Sequence, residues 1–198
     1  IMTKRYICTT LICLISLLAT SSKGFCQQPV LIKEPLQYQM KQWVDSVFNT
    51  FSLDQKIGQL FMTRLYSNKD KKYEAEIKNI ISSHHIGGLV VAQGGPMREA
   101  RLLNQYQKLS KTQLLVATDA EWGLGMRLDS TISFPYQMTL GAIDDNQLIY
   151  TMGGEIANQL KMLGIHVNFA PVADINNNPA NPVIGYRAFG EEKQNVTS

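Results

Sequence analysis

The sequence predicts an α/β fold in which strand–helix units follow one another along the chain. Three observations support this prediction. Short apolar runs that are too brief for helices recur along the chain, longer amphipathic segments separate them, and charged or polar residues directly follow several runs. Such runs form parallel strands that are buried on both faces and joined by right-handed helical crossovers.

This order of elements fits both a doubly wound sheet and a (β/α)8 barrel of the TIM type. A complete barrel typically needs about 250 residues, whereas the chain has 198, of which 44% are hydrophobic. If the fold is a barrel, the sequence therefore holds only about its first four βα units.

The first residues have the features of a secretory signal peptide, which we assign to residues 1–26. Lys4 and Arg5 precede an uncharged stretch rich in leucine and isoleucine, and small polar residues follow it. The stretch is close to the minimum length of a membrane span, so an uncleaved anchor is the alternative. Cys26 raises the possibility of a lipoprotein, but the bulky Phe25 before it disfavours lipid attachment. We therefore expect an exported protein, periplasmic or at the cell surface.

Cleavage of this segment would change the charge of the protein. The whole chain has a formal net charge of +3, and the segment carries three basic residues and no acidic one. The mature protein is then nearly neutral, so we expect neither a nucleic-acid partner nor a membrane partner. All three cysteines also lie in the segment, which argues against disulfides and cysteine metal sites in the remainder: Cys8, Cys13 and Cys26. No metal and no cofactor are expected.

Residues 27–52 are expected to form a polar leader and an N-terminal helix. Apolar residues at three- and four-residue spacing between Met40 and Phe51 predict one amphipathic helix. Ser52, with Gln55 three residues later, resembles a helix N-cap and predicts a second short helix. The remaining part, residues 53–198, is expected to be the first half of the barrel.

Four strands and three longer helices are predicted within this part. The strands are IGQLFMT at 57–63, IGGLVVA at 86–92, LLVAT at 114–118 and GIHVNFAPV at 164–172. Helices are predicted at about 73–83, 97–110 and 146–163.

The run LLVATDAEWGLGMR, at residues 114–127, is the strongest candidate for a functional segment. Its apolar strand ends on Asp119, and Glu121 and Arg127 follow. Ligands of α/β folds bind at the carboxyl ends of the strands. Side chains two residues apart in an extended chain point to opposite sides, so one acid is expected in the pocket and the other in a supporting role unless the chain turns there. The alternative is that Asp119 only caps the next helix or turn.

Two later loops add polar candidates at the same sheet edge. NFAPVADINNNP, at 168–179, leads to Asp174, and NPVIGYRAFG, at 181–190, carries Arg187. A lone loop arginine is usually solvated, but the apolar residues around this one favour an inward orientation. Carboxylates and guanidinium groups suit the hydroxyls and carboxylates of a polar ligand.

Together these segments resemble glycoside hydrolase family 3, in its β-N-acetylglucosaminidase branch. The resemblance spans about residues 53–196 and is carried by LDQKIGQLFM, IGGLVV, DAEWGLGMR, FPYQMTLGA, LGIHVNFAPVADIN and NPVIGYRAFGE. The NNNPANPVIG loop favours this branch over the β-glucosidase branch. The resemblance implies a (β/α)8 barrel.

The resemblance also implies that Asp119, Arg127 and Arg187 hold the terminal N-acetylglucosamine of an amino-sugar glycan, with Glu121 and Asp174 in support. The chain departs from the family pattern at Trp122 and Leu124, where glycine and arginine are usual. Trp122 therefore either stacks on a sugar or packs inside the protein.

No catalytic residue is assigned in this chain. The branch uses an aspartate nucleophile on a later strand and a histidine in a KHFPGHG-type loop, and neither motif occurs here. His84, His85 and His166 lie outside such a context and are expected to be surface or core residues. We expect the chain to be a fragment of a retaining exo-β-N-acetylglucosaminidase that acts on cell-wall or related glycans, and we expect this fragment alone to be inactive.

The main alternative is a non-catalytic, secreted carbohydrate-binding module, because binding groups occur here without a nucleophile. A nucleotide-binding reading of the glycines at 123 and 125 is disfavoured, since Leu128 replaces the third glycine of the dinucleotide pattern.

Overall fold

The computed structural model describes residues 34–197. The predicted signal peptide, and the first part of the leader, lie outside the described residues. The described residues divide into two units, with the boundary between Asn49 and Thr50. No helix in the described part is both long enough and apolar enough to cross a bilayer.

The first unit contains the predicted N-terminal helix. This helix, α1, spans Glu34–Thr50, so it begins earlier than the apolar spacing alone indicates. Its exposed surface carries an ion pair between Lys41 and Asp45, one helical turn apart at 2.5 Å. Such exposed pairs add only a few tenths of a kcal/mol, about 0.3–0.5.

The second unit begins with a short helix. The sequence predicted the start of this helix but not its end. Helix α2 spans Leu53–Gly58, and the Ser52 hydroxyl and the Gln55 side chain form the predicted capping box. The strand predicted at 57–63 is wrong in position. Its first two residues, Ile57 and Gly58, belong to the helix that this capping box starts. The first strand, β1, begins four residues after the helix, at Met62–Tyr66.

Strands and helices then alternate, as predicted. In chain order they are β1, α3 (Lys71–His84), β2 (Gly88–Gln93), α4 (Pro96–Leu109), β3 (Leu115–Thr118), α5 (Gln137–Leu140), α6 (Asn146–Met162), β4 (Val167–Asn168) and α7 (Lys193–Thr197). The sheet order is β1-β2-β3-β4, and every pairing is parallel. This arrangement confirms the fold class, an α/β fold with the first four strands of a TIM-type barrel.

The helices start where the sequence supplies capping groups. The Asp70 carboxylate accepts a hydrogen bond from the Tyr73 amide at the start of α3, and Pro96 occupies the first turn of α4. Asp145 caps α6 by accepting from the Gln147 amide. The two aspartates accept hydrogen bonds from amides that would otherwise lack a partner at a helix start, and Pro96 has no amide that needs one.

The two faces of the sheet have different roles. One face packs against the helices and forms the core, with side chains that are almost fully buried: Leu65, Leu89, Val91 and Val116. The alternate residues face the other side, where Leu115 remains 49% exposed. This second face corresponds to the inside of a barrel, and its carboxyl edge positions the candidate site.

Strand β4 is much shorter than the predicted strand at 164–172. Its ladder contains only Val167 and Asn168, paired with Ala117 and Thr118 of β3. Beyond Asn168 the chain meets Pro171, which has no amide to donate to a ladder. Phe169 still donates its amide to the Thr118 carbonyl, at 2.7 Å. The pattern predicted the apolar stretch correctly but not where regular pairing stops.

Candidate functional site

A cleft of about 580 Å³ lies at the carboxyl edge of the sheet. Strands β1 and β2 and the chain after β3 and β4 all contribute to it. Its lining includes all five residues singled out in the sequence: Asp119, Glu121, Arg127, Asp174 and Arg187. Parallel strands present their carboxyl ends on one side, which explains why segments distant in sequence meet here.

The chain turns immediately after β3, at Ala120. The Asn168 side chain holds this turn, because its Oδ1 accepts from the Ala120 amide at 2.9 Å and its Nδ2 donates to the Ala120 carbonyl at 3.3 Å. The turn allows Asp119 and Glu121 to border the same cleft, which an extended chain would not. Asn168 was part of a quoted motif but was not identified as a site residue, since its role depends on pairing between β3 and β4.

Asp119 forms an ion pair with Arg127. The Arg127 Nη2 donates to Asp119 Oδ2, and its Nε donates to the Asp119 carbonyl at 3.3 Å. The two side chains keep 41% and 24% of their surface exposed, respectively. This exposure leaves the Asp119 carboxylate accessible from the cleft.

Buried residues on both sides of Arg127 hold it in place. Leu124, in a short 3₁₀ turn, and Leu128 are both in the core. The backbone also pairs with the end of β2: Gly94 donates its amide to the Arg127 carbonyl at 3.2 Å, and Asp129 donates to the Gly94 carbonyl at 2.8 Å. The loop that carries Arg127 is therefore attached to the sheet rather than free in solvent.

Glu121 and Arg187 form the second ion pair of the cleft. Arg187 donates from Nη2 to Oε1 at 2.6 Å and from Nε to Oε2 at 3.0 Å, which is a bidentate contact. The Glu121 side chain is only 4% exposed, and that of Arg187 is 30% exposed. Bidentate pairs of this kind define the orientation of the guanidinium as well as its position.

The pair also keeps Arg187 charged. Its hydrogen bonds to Glu121 raise the pKa of the Arg187 guanidinium, and burial opposes this increase. The charge of Asp174 raises the same pKa further. Asp174 itself is exposed on the wall of the cleft. The lone loop arginine thus points inward, as its neighbours indicated.

Several lining residues were not recognised from the sequence. Arg64 and Tyr66 lie on the side of β1 opposite Leu65, and Gln93 ends β2; all three line the cleft. A charged residue inside an otherwise apolar strand is the signal that could have identified Arg64. Arg64 was missed because the predicted first strand ended at residue 63, whereas β1 extends to Tyr66.

The three histidines occupy structural positions. His84 ends α3, and His85 follows it in a left-handed conformation with φ of 50°. The Nδ1 of His166 accepts a hydrogen bond from the Val116 amide at 3.0 Å. Trp122 contacts aromatic rings, with its centroid 4.7 Å from that of Tyr136.

The chemistry available in the cleft is that of a polar, uncharged ligand site. Arg127 and Arg187 are neutralised by carboxylates, and the charges of Arg64 and Asp174 in the lining are opposite in sign. The remaining lone pairs and N–H groups suit hydroxyl and amide groups. Among residues 34–197, no three histidine, cysteine or acidic side chains are grouped so as to hold a metal ion.

Comparison with known proteins gives a family match over most of the chain. Residues 52–198 match the family described as "Glycosyl hydrolase family 3 N terminal domain". The chain is 32% identical over 169 residues to beta-hexosaminidase A of Pseudoalteromonas piscicida, covering 72% of this chain and 28% of that protein.

Solved structures agree in fold. A glycoside hydrolase family 3 beta-N-acetylglucosaminidase from Paenibacillus sp. str. FPU-7 is 34% identical with a TM-score of 0.64, over 74% of this chain and 29% of that chain. The beta-glucoside phosphorylase BglX superimposes with a TM-score of 0.72 over 80% of this chain and 28% of that chain. Its identity of 23% indicates a shared fold alone. The chain spans less than a third of the length of each of these proteins.

Proposed function

Because the chain belongs to glycoside hydrolase family 3, we propose that it forms the amino-terminal part of a retaining exo-β-N-acetylglucosaminidase. The complete protein would remove terminal N-acetylglucosamine from cell-wall or related glycans. The main support is the pair of arginine–carboxylate contacts that open into one cleft at the carboxyl edge of the sheet.

In this proposal, Asp119, Arg127 and Arg187 bind the terminal sugar. The Asp119 carboxylate accepts hydrogen bonds from sugar hydroxyls, since each ionised oxygen accepts more than one. Arg127 orients that carboxylate, and the guanidinium N–H groups that the carboxylates leave free donate to ligand oxygens. Glu121 acts in support by holding Arg187, and Asp174 contributes negative charge at the same wall.

Retaining hydrolysis requires a carboxylate nucleophile on one side of the anomeric carbon and a proton donor on the other. We assign neither role to a residue of the described chain, since Glu121 is committed to Arg187 and Asp119 to Arg127. Both roles are proposed to come from the part of the enzyme that this chain does not cover. The contribution of these residues is to hold the sugar so that the reacting groups meet it in the right orientation.

We further propose that the protein is exported by the predicted signal peptide at residues 1–26 and acts outside the cytoplasm. The glycan substrate would be its partner, and the nearly neutral mature chain supports neither nucleic acid nor a membrane surface as a second one.

Substitution of the binding residues in the complete gene product tests this proposal. Asp119→Asn and Arg187→Ala should each reduce kcat/KM for a chromogenic N-acetylglucosaminide by a factor that corresponds to about 1–3 kcal/mol, the cost of a charged hydrogen-bond partner left unpaired. Lys108→Ala, which removes an exposed cation on α4, is the matched control. Unchanged kinetic constants in both site variants would remove the assignment.

The second candidate is a secreted carbohydrate-binding module without catalysis. The observation in its favour is that both carboxylates of the central ion pairs are already bound to arginines. Titration with N-acetylglucosamine, combined with the hydrolysis assay, separates the two functions. Saturable binding by the complete gene product without any hydrolysis would favour the module.

A further inference from the structure

Three aromatic residues connect the two loops that carry the ion pairs of the cleft. Tyr136 lies between Trp122 and Tyr186, with ring centroids 4.7 Å apart in both contacts. The first pair meets edge to face at 80°, and the second is tilted at 51°. We call these three side chains the aromatic bridge.

The bridge runs parallel to the ion pair between Glu121 and Arg187. Trp122 directly follows Glu121 in the chain, and Tyr186 directly precedes Arg187. Two consecutive residues of one loop are thus joined to two consecutive residues of the other. One connection is made by charge inside the cleft, and the other is made through Tyr136.

Hydrogen bonds to two backbone carbonyls hold the chain on both sides of Tyr136. Phe134 donates its amide to the Trp122 carbonyl at 2.9 Å, and the Gln137 side chain donates to the Glu121 carbonyl at 2.8 Å. These two hydrogen bonds fix the position of Tyr136 relative to the first loop without any contribution from the second loop. Gln137 is 1% exposed, so its bond is shielded from water.

We propose that Trp122, Tyr136 and Tyr186 are positioning residues that orient the Arg187 guanidinium toward the sugar, an inference that rests on the proposed function. The bidentate ion pair orients the guanidinium relative to Glu121. The aromatic bridge adds a second attachment at the neighbouring residue, which holds the backbone of the turn at 185–187 against the first loop. None of the three rings belongs to the cleft lining described above, so the bridge acts through Arg187 and not by touching the ligand.

This role answers the question that the sequence left open for Trp122. Its indole packs against Tyr136 rather than forming a sugar platform inside the cleft. Tyr136 and Tyr186 keep 44% and 57% of their surface exposed, respectively, which means that their contact is not needed to fill the core. A positioning role accounts for the contact between Tyr136 and Tyr186, which core packing does not require.

Substitutions of Tyr136 in the complete gene product test the inference. Tyr136→Ala should raise KM for the chromogenic substrate about 3- to 10-fold, the effect of losing two aromatic contacts partly compensated by the ion pair. The value of kcat should change little, because Arg187 binds the sugar similarly in the ground and transition states. Tyr136→Phe should restore the KM, since the rings and not the hydroxyl make the contacts. Tyr150→Ala, at an exposed position of α6, is the control.

A double-mutant cycle separates positioning from a general loss of structure. In an Arg187→Ala background, Tyr136→Ala should add nothing, because the residue through which it acts is gone. The same KM increase in both backgrounds, or no increase in the wild-type background, would overturn the inference.

Hydrogen exchange distinguishes failure of the bridge from failure of the proposed function. The amides of Arg187 and Ala188 are hydrogen-bonded within the turn, at 2.8 and 3.2 Å. They should exchange faster in Tyr136→Ala and not in Tyr150→Ala, whether or not the enzyme hydrolyses the substrate. Unchanged exchange in Tyr136→Ala contradicts the bridge, whereas faster exchange without wild-type hydrolysis contradicts only the proposed function.

Discussion

At the scale of single residues, the two ion pairs of the cleft differ in environment. Glu121 is almost completely buried, and its three hydrogen-bond contacts with Arg187 compensate for the loss of water around the carboxylate. Asp119 keeps much of its surface accessible. The buried carboxylate is therefore suited to support and the exposed one to ligand contact, which is the division proposed for them.

A third acid, Glu99, is buried without any such compensation. It lies in the first turn of α4 with no exposed surface, and within the described part of the chain neither carboxylate oxygen has a hydrogen-bond partner. Burial raises the pKa of Glu99 from 4.5 to about 7. The folded protein therefore holds this proton at pH values where the unfolded chain releases it.

The free energy of unfolding should therefore depend on pH through Glu99. The stabilising contribution is complete below pH 4.5 and is lost as the pH rises to about 7. The loss is up to about 3 kcal/mol, because each pKa unit corresponds to about 1.4 kcal/mol. Urea unfolding of the complete protein at pH 5 and at pH 8 measures this change in the free energy of unfolding. Glu99→Gln should remove most of this difference.

Glu76→Gln is the matched control for this measurement, since Glu76 lies on α3 and is exposed. Its unfolding should keep the full pH dependence of the wild type. An equal pH dependence in the wild type and in Glu99→Gln would show that Glu99 does not retain its proton on folding.

At the scale of elements, the site depends on how closely its loops pack. Gly141 is the C-cap directly after α5, and a β-carbon built there would lie 1.6 Å from the carbonyl oxygen of Phe189. The Phe189 backbone cannot move aside as easily as the end of a flexible side chain could. Glycine at this position is therefore required by the close approach of the loop that carries Arg187.

Gly141→Ala should displace this loop and weaken sugar binding. We expect a higher KM in the complete enzyme together with a loss of stability of about 1–3 kcal/mol, the usual cost of overpacking. Steady-state kinetics and thermal unfolding measure the two effects.

Gly154→Ala provides the comparison, because a β-carbon there meets nothing within 4 Å. This residue lies inside α6, so alanine should stabilise the helix by up to about 1 kcal/mol and leave KM unchanged. Equal kinetic behaviour of the two alanine variants would contradict the packing argument for Gly141.

Also at this scale, element types were predicted better than element ends. The capping group Ser52 marked a helix start correctly, because a capping hydrogen bond is a local interaction. The predicted bounds of β1 and β4 were wrong, since a strand begins and ends where its partner pairs with it. That partner is distant in sequence and is not visible in an apolar pattern.

At the scale of the whole molecule, the sheet is open at both sides. Within residues 34–197, β1 pairs only with β2, and β4 pairs only with β3. The face that lies inside a closed barrel carries exposed apolar side chains, including Leu115 at 49% and Phe169 at 57% exposure. Unpaired strand edges and exposed apolar surface both favour association with other chains.

The 198-residue chain expressed alone is therefore expected to self-associate and to lack hydrolytic activity. Light scattering after size-exclusion chromatography measures its mass, and the chromogenic assay measures its activity. The complete gene product, in which the barrel can close, is the control. A monodisperse monomer of this chain that hydrolyses the substrate would contradict the expectation.

The sequence by itself determined the class of fold and the family, and it named five residues that border one cleft. These depend on local signals: apolar runs of strand length, capping groups, and the DAEWGLGMR and NPVIGYRAFGE motifs. Asp119, Glu121, Arg127, Asp174 and Arg187 were all named from it, and all five border one cleft.

The tertiary structure alone decided which of these residues pair. The turn at Ala120, held by Asn168 from β4, brings Glu121 to Arg187 and leaves Asp119 to Arg127. The sequence also did not predict the packing of Trp122 on Tyr136 or the burial of Glu99. The physical reason is that pairing, burial and the resulting pKa depend on distances between segments as far as 66 residues apart in sequence, and a sequence pattern describes only neighbours.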